Sequence, residues 1–435
     1  MVKRMIHSAQ MKTLLSQVIS ASASLVAFAL LANHLAPTEL GTWGIYLVAL
    51  AFFDMLRIGL IRTPLIKVFQ DTPSHNRNDV IGTGWALGVL FSGALSMLVL
   101  FVPMTSWVPE SFSLFTTHFP WVYLASLPYS MGIIYQEAQG NFKTVLALRT
   151  VFSLLYLGVA VATWWVGLLP ASMVVLHGAA LGLAGLLFLP KTGIRHVPKA
   201  NQQRFSQLFQ LGKYTTLNLL GTYLLKSLDV LLLGVWLGPA AVGVYHVAMK
   251  WMEVAEIFVR SFSTAALPQL GQRIRQKNYP STRAYFHRMV AYQYLLILPI
   301  LLGIFLLAPW LVRGMAGSGY QDAVPLVRLF CLASFWLPID RFLGITLDMI
   351  GQPRKNTVKI LAMVLLNGLG DVWVLQASGS LWGVVLVTLA NVLLGVVLGY
   401  YFLRPYIQVS FLEILRQVKQ SLHRMVQQTL SLATS

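Results

Sequence analysis

Leu35-Ala-Pro37-Thr-Glu-Leu-Gly41 is echoed by Leu237-Gly-Pro239-Ala-Ala-Val-Gly243, and each copy is followed two positions later by an aromatic residue, Trp43 or Tyr245. The offset, 243 − 41 = 202, is close to half of the 435 residues, and it carries Asp54 onto Glu256, an acid within an apolar stretch both times. A second echo sets Glu137-Ala-Gln-Gly140-Asn-Phe-Lys143 against Asp348-Met-Ile-Gly351-Gln-Pro-Arg354, acid-x-x-Gly-polar-x-base. Its offset, 351 − 140 = 211, implies a short insertion in the second half. The chain reads as an internal duplication. Duplicated halves dominated by long apolar runs are a common architecture of secondary transporters.

Composition sets the class. With 57% hydrophobic and 11% charged residues and a mean hydropathy of +0.68, the chain lacks the polar surface that a soluble globule needs, and it is expected to be an integral membrane protein. The formal net charge of +18 falls mainly between apolar runs, where Lys and Arg fix orientation. No nucleic-acid-binding motif accompanies it, so no nucleic-acid partner is expected. The single cysteine, Cys331, excludes an intramolecular disulfide and a cysteine metal centre; it is read as packing. The first apolar run is too long for a signal-peptide core and is read as a retained span.

Apolar runs lie near 13–34, 42–66, 80–103, 117–139, 144–166, 168–190, 212–236, 241–268, 288–312, 323–350, 356–377 and 380–403. The fold class expected is therefore all-α integral membrane, with twelve transmembrane helices in two pseudo-symmetric six-helix bundles. Lys3, Arg4 and Lys12 precede the first run, and every second connection is basic: Lys67 and Arg77, Lys143, the group from Lys191 to Arg204, that from Arg273 to Arg288, then Arg354 and Lys355. The alternate connections carry Glu39, Glu110 and Asp322 against a single Arg313. Both termini are thus expected in the cytoplasm, and the two halves share an orientation. The expected division is an N-terminal bundle over 1–190, a linker with an amphipathic segment over 191–211, a C-terminal bundle over 212–404 and an amphipathic tail over 405–435. Segment 203–211 and the tail, with Phe411, Leu415, Val418, Leu422 and Met425 set against Arg416, Lys419 and Arg424, suit the inner membrane surface.

Charges recur where they are expensive. An Asp, Lys or Arg at the centre of a membrane helix costs about 2.5–3.5 kcal/mol on insertion scales. Asp54 and Arg57, Lys226 and Asp229, and Glu253, Glu256 and Arg260 are spaced to line single helical faces, and Asp340, Arg341, Asp348 and Arg149 stand within other runs. Ion pairs that pin helices together are one reading of any single set. A hydrated cavity between the halves accounts for all of them at once. Bases in such a cavity attract phosphate, and the candidates are Arg57, Arg149, Lys226, Arg260 and Arg341. Acids there can carry a coupling proton or sodium ion, and the candidates are Asp54, Asp229, Glu253, Glu256 and Asp340, with Glu253 above Glu256 on one helix as the leading pair. His177 is expected simply to hydrogen-bond a neighbouring helix.

The run from Asp229 to Tyr245, continuing to Pro268, resembles the seventh and eighth spans of Wzx-type bacterial polysaccharide flippases, in the multidrug/oligosaccharidyl-lipid/polysaccharide exporter superfamily. Leu35 to Gly59 resembles the second span of that family, and Gly319-Tyr320-Gln-Asp-Ala323 through Gly351-Gln-Pro-Arg354-Lys355 its tenth-span region. Leu381-Trp-Gly383 is similar to the step before its last span. The resemblance implies a fold like that of the multidrug exporters of this superfamily. It implies a non-enzymatic flippase that moves an undecaprenyl-diphosphate-linked oligosaccharide from the cytoplasmic to the periplasmic leaflet of a bacterial inner membrane by alternating access. It also implies membrane lipids and the polysaccharide polymerase machinery as partners, no cofactor, and an ion gradient of protons or sodium as the drive. A chain of twelve spans is less like the peptidoglycan-precursor flippases, which carry two more. The alternatives are an ion-coupled drug or cation antiporter of the same superfamily, which needs an acid-dominated cavity, and a membrane enzyme of polysaccharide assembly, which needs a long outer loop.

Overall fold

The computed structural model describes residues 9–101, 109–195 and 200–433, and among them every regular element is helical. In chain order the helices are α1 (Ala9–His34), α2 (Pro37–Asp71), α3 (Arg77–Phe101), α4 (Ser113–Ala125), α5 (Leu127–Ala138), α6 (Phe142–Val166), α7 (Pro170–Leu187), α8 (Gln202–Trp236), α9 (Gly238–Arg275), α10 (Tyr279–Ala316), α11 (Ala323–Met349), α12 (Pro353–Ser378), α13 (Leu381–Leu403) and α14 (Phe411–Ala433). Lys3, Arg4 and Lys199 of the expected topology lie outside the described residues, as do the side chains of Lys12, Arg424 and Met425.

Nine helices among the described residues are long and apolar enough to cross a membrane. The runs 13–34, 117–139 and 241–268 fold as helix but fall outside that set for distinct reasons. In α1 only Ile19–His34 falls among the residues whose side chains are described, and that stretch is shorter than a span. The fourth run is split into α4 and α5 at Ser126, where Pro128 has no N–H to give the Leu124 carbonyl. Helix α9 carries Lys250, Glu253, Glu256 and Arg260 along its middle.

Helix α12 displays the solvent logic of the whole chain. Leu361, Leu365, Leu369 and Trp373 are exposed at a regular spacing of four residues, whereas Lys359, Met363, Asn367 and Asp371 are buried on the opposite stripe. This reverses the pattern of a soluble helix, and it is stable only where the surroundings are hydrocarbon. Exposed apolar residues also mark α3, at Leu90, Met97, Leu98 and Phe101, and α6, at Trp165.

By its contacts the chain forms two compact units, Met1–Gly243 with Met315–Gly319, and Val244–Gly314 with Tyr320–Ser435. This boundary differs from a division at 191–211, because α8 packs along the length of α2. Gly212 sits where a Cβ would meet the Leu60 carbonyl oxygen, and Gly59 where it would meet the Thr216 backbone. The Tyr223 hydroxyl donates to the Val48 carbonyl at 2.6 Å, and the Thr215 hydroxyl donates to that of Gly59. The first unit's core gathers Leu60, Ile61 and Leu65 of α2, Ile81 and Trp85 of α3, Met131 and Ile134 of α5, and Leu208 of α8. In the second unit, α11, α12 and α13 pack together.

Both sequence echoes have structural counterparts. In the first, a Cβ on Gly41 would run into the carbonyl of Pro239, and one on Gly243 into the carbonyl of Pro37. The two copies of the motif thus cross each other reciprocally, and only glycine allows the approach. In the second, Gly140 (φ 72°) and Gly351 (φ 85°) both adopt the left-handed conformation. Around them the hydrogen bonds match one for one: Asn141 N–H to the Gln136 carbonyl at 2.8 Å and Gln352 N–H to that of Leu347 at 2.9 Å, Gly140 to Glu137 at 3.0 Å and Gly351 to Asp348 at 3.1 Å. Each glycine closes one helix and admits the next.

Replacing Gly41 or Gly243 by valine forces backbone against side chain, and either variant is expected to lose about 1–3 kcal/mol, read as a lowered melting temperature of the purified protein in detergent. Gly93, where an added Cβ would meet nothing within 4 Å, should accept alanine with no change; an unaltered melt for Gly41→Val would refute the crossing.

Candidate functional site

In the first unit, α2 carries two arginines with contrasting surroundings. Arg57 is only 2% exposed. Its Nη2 donates to Asp54 Oδ1 at 2.5 Å and to Ser126 Oγ at 2.9 Å, and its Nη1 donates to the Tyr123 carbonyl at 3.2 Å. The guanidinium also lies 4.4 Å from the centre of the Tyr123 ring. The break between α4 and α5 leaves a carbonyl that needs donors, and Arg57 supplies one while Ser126 Oγ supplies another at 2.8 Å. Arg57 is thus buried, with both Nη groups engaged inside the unit. Its partner Asp54 keeps a partly exposed carboxylate.

Five residues further along α2, Arg62 reaches outward. Its Nε meets Glu137 Oε2 at 2.7 Å, with the side chain 42% exposed. Arg149 of α6 meets the other oxygen of Glu137 at 3.3 Å. One largely buried carboxylate at the end of α5 thus orients two guanidiniums, and the trio has a net charge of +1. The cap at Gly140 is what ends α5 beside the start of α6 and so sets Glu137 against Arg149. On α8, Lys226 is exposed and Asp229, one turn on, is buried.

In the second unit the acids are distributed among bases. Glu253 is held by Lys250 at 2.7 Å and Glu256 by Arg260 at 3.2 Å. The two acids expected as a coupling pair thus each have a base on α9. Asp340 of α11 is paired with Lys359 of α12 at 2.5 Å, where Lys359 is 4% exposed, and Lys359 also donates to the Asp340 carbonyl at 3.2 Å. The next residue, Arg341, is exposed. Further along the buried stripe of α12, Asn367 Nδ2 donates to Asp371 Oδ2 at 3.1 Å, and Asn391 Nδ2 of α13 donates to Asn367 Oδ1 at 2.9 Å.

Arg62, Lys250, Lys359, Asn367, Asp371 and Asn391 are absent from the candidates read off the sequence. The signal was present: Lys250, Lys359 and Asp371 interrupt apolar runs just as Asp54 does, and Asn367 precedes Asp371 by one helical turn. His177 behaves as expected of a buried histidine between helices. Its Nδ1 lies 3.0 Å from the Tyr46 hydroxyl, and the rings of Trp43, Phe152 and Tyr156 enclose it. Cys331 is a buried free thiol.

A family model described as "Polysaccharide biosynthesis protein" matches residues 30–325. Among curated proteins, the "Probable low-salt glycan biosynthesis flippase Agl15" of Haloferax volcanii is 20% identical over 233 residues, which cover 53% of this chain and 49% of that protein. The matched part thus spans about half the length of that relative. The fold is similar to that of "Lipid II flippase MurJ, inward closed conformation", with a TM-score of 0.74 at 14% identity over 97% of this chain and 92% of the other. It is also similar to an inward-facing multidrug resistance MATE family transporter of the MOP superfamily, with a TM-score of 0.73 at 13% identity over 92% and 99% of the two chains.

Removing one partner of the Lys359–Asp340 pair leaves a charge within the bundle. Lys359→Ala is expected to destabilise the protein by about 3–5 kcal/mol, whereas Lys359→Met combined with Asp340→Leu should recover most of that loss. Thermal unfolding in detergent checks this, and equal melting of single and double variants would count against the pair.

Proposed function

Because the chain belongs to the polysaccharide biosynthesis protein family and shares the fold of transporters of the MOP superfamily, we propose that it is a flippase for an undecaprenyl-diphosphate-linked oligosaccharide. In this reading it crosses a bacterial inner membrane twelve times with both termini in the cytoplasm. It carries the glycan from the cytoplasmic to the periplasmic leaflet by alternating access. The observation that carries the reading is the Arg62–Glu137–Arg149 trio: two partly exposed guanidiniums, fixed by one carboxylate, in a protein whose outer surface is apolar.

The physical task explains the residues. Taking an ion from water into a low-dielectric layer has an idealised cost of order 20 kcal/mol, so a diphosphate-sugar head does not cross unaided. Guanidiniums replace lost hydration and bind phosphate oxygens bidentately, while the isoprenoid tail stays in lipid. Glu137 spans Arg62 Nε and Arg149 Nη2, so the Nη groups of Arg62 remain to engage a phosphate. Lys226, Arg260 and Arg341, each exposed, are further candidates for the same head, and Arg57 acts indirectly by holding α2 against α4 and α5.

Direction can come from a coupled proton or sodium ion: one charge crossing about 100 mV yields about 2.3 kcal/mol. The Asn367–Asp371–Asn391 cluster suits this role best, since it combines a fully buried carboxylate with two amides whose oxygens favour a hard cation. Asp54, Asp229, Glu253, Glu256 and Asp340 remain candidates for coupling, with Asp54, Glu253, Glu256 and Asp340 already engaged by bases. A drug-cation antiporter would need acids in excess, and here Asp54, Glu137, Glu253, Glu256 and Asp340 are each paired with a base.

The test is movement of an undecaprenyl-diphosphate-linked oligosaccharide across the membrane of proteoliposomes, read as the loss of its protection from an external glycosidase. The wild type should accelerate this well above protein-free vesicles. Arg62→Ala and Arg149→Ala should each reduce the rate about tenfold or more, as expected for losing a charge-assisted contact. No acceleration by the wild type under an imposed proton or sodium gradient would overturn the proposal.

A further inference from the structure

The second unit holds a cavity of about 550 Å³ that the transport reading does not use. Its walls come from the start of α10, the connection after α13 and the start of α14, and include Tyr279, Arg283, His287, Arg404, Tyr406 and Glu413. The connection is fastened on two sides. His287 Nε2 accepts the Ser410 N–H at 3.0 Å. Lys355, from the start of α12, donates to the Tyr406 hydroxyl at 3.3 Å and sits 4.9 Å from the centre of its ring. Buried Ile407 and Ile414 anchor the segment beneath. The cavity is therefore bounded by three fixed elements.

Its charge is unbalanced. Arg283 and Arg404 are both exposed, and among the described residues neither forms an ion pair with a carboxylate. The one acid in the wall, Glu413, is already taken by Arg416 at 3.4 Å. Lys355 adds a third positive charge behind Tyr406. Two free guanidiniums facing one concavity repel each other unless an anion lies between them, and their planar donor sets match phosphate oxygens.

The surroundings identify the source of that phosphate. Phe411, Leu412 and Leu415 of α14 are exposed next to the cavity, and this helix has apolar residues on one face and Arg416 and Lys419 on another, the pattern of a helix lying in the membrane interface. Tyr279 and Tyr406 sit as interfacial aromatics do. We infer that this cavity binds the phosphodiester headgroup of an anionic phospholipid, clamped between Arg283 and Arg404, and thereby seats α10, α12 and α14 on the membrane surface. A headgroup with one net negative charge neutralises the pair only in part, and Lys355 adds to the positive potential that attracts it.

The test uses the full-length protein in mild detergent, offered phosphatidylglycerol and phosphatidylcholine at equal concentration, with retained lipid read by native mass spectrometry. The wild type should retain phosphatidylglycerol in preference to phosphatidylcholine. Combined Arg283→Ala and Arg404→Ala should reduce that retention about tenfold, whereas Lys419→Ala, outside the clamp, should not. Arg283→Gln and Arg404→Gln taken singly should each give a partial loss, and they serve if the double variant fails to fold. Equal retention by wild type and these variants, or equal retention of the two lipids, overturns the inference. Displacement of the bound lipid by millimolar inorganic phosphate also overturns it, by assigning the cavity to a soluble anion. Because the assay reads retention and not transport, its failure leaves the flippase proposal standing, and failure of that proposal leaves this one standing.

Discussion

Hydrocarbon offers no hydrogen-bond partner, so each polar group at membrane depth must be satisfied by the protein itself, and this requirement organises the molecule. Helix α12 meets it by turning inside out, with leucines and Trp373 facing outward and Lys359, Asn367 and Asp371 facing inward. Arg57 meets it largely through its two Nη groups, which donate to Asp54, Ser126 and the Tyr123 carbonyl. The kink between α4 and α5 is possible because that carbonyl has donors waiting, and the arginine is tolerated because the kink supplies an acceptor.

Duplication gives the same requirement a repeated solution. The caps at Gly140 and Gly351 share one hydrogen-bond pattern, and each sets a short acidic helix end against the basic start of the next helix. In the first copy the acid, Glu137, is turned onto Arg62 and Arg149. In the second, Asp348 accepts from Asn356 at 2.9 Å and 3.0 Å, and no guanidinium trio forms among the described residues. A common backbone scaffold has thus diverged in its side-chain chemistry, with the Arg62–Glu137–Arg149 trio at the first copy and an asparagine–aspartate contact at the second.

The class of the protein was legible because it depends on averages and periods. Apolar runs, the alternation of basic connections and the two echoed motifs survive without any knowledge of packing. Candidate residues were legible only as charges in the wrong solvent. Spacing placed Asp54 beside Arg57 and Glu256 beside Arg260 correctly, because partners three or four apart on one helix are fixed by helical geometry. It could not distinguish Arg57, whose two Nη groups are engaged in a buried setting, from Arg62, whose Nε meets Glu137 while the side chain stays partly exposed. It also put Glu253 and Glu256 on one helical face without showing that Lys250 lies 2.7 Å from the former. Lys359 and Asp340 are nineteen positions apart on different helices, and no local rule joins them.

The sequence by itself determined that the chain lives in a membrane, that it is built from a repeated plan, and that it buries charge in several helices, since each of these follows from composition and from periodicity along one chain. The tertiary structure alone decided which charges are engaged and which are available, because ion pairing between α2, α5 and α6 or between α11 and α12 depends on distances that no spacing encodes. It also decided that α8 lies along α2, since that contact turns on glycines meeting backbone atoms more than 150 residues away, where removing a Cβ matters only once the two helices are known to touch.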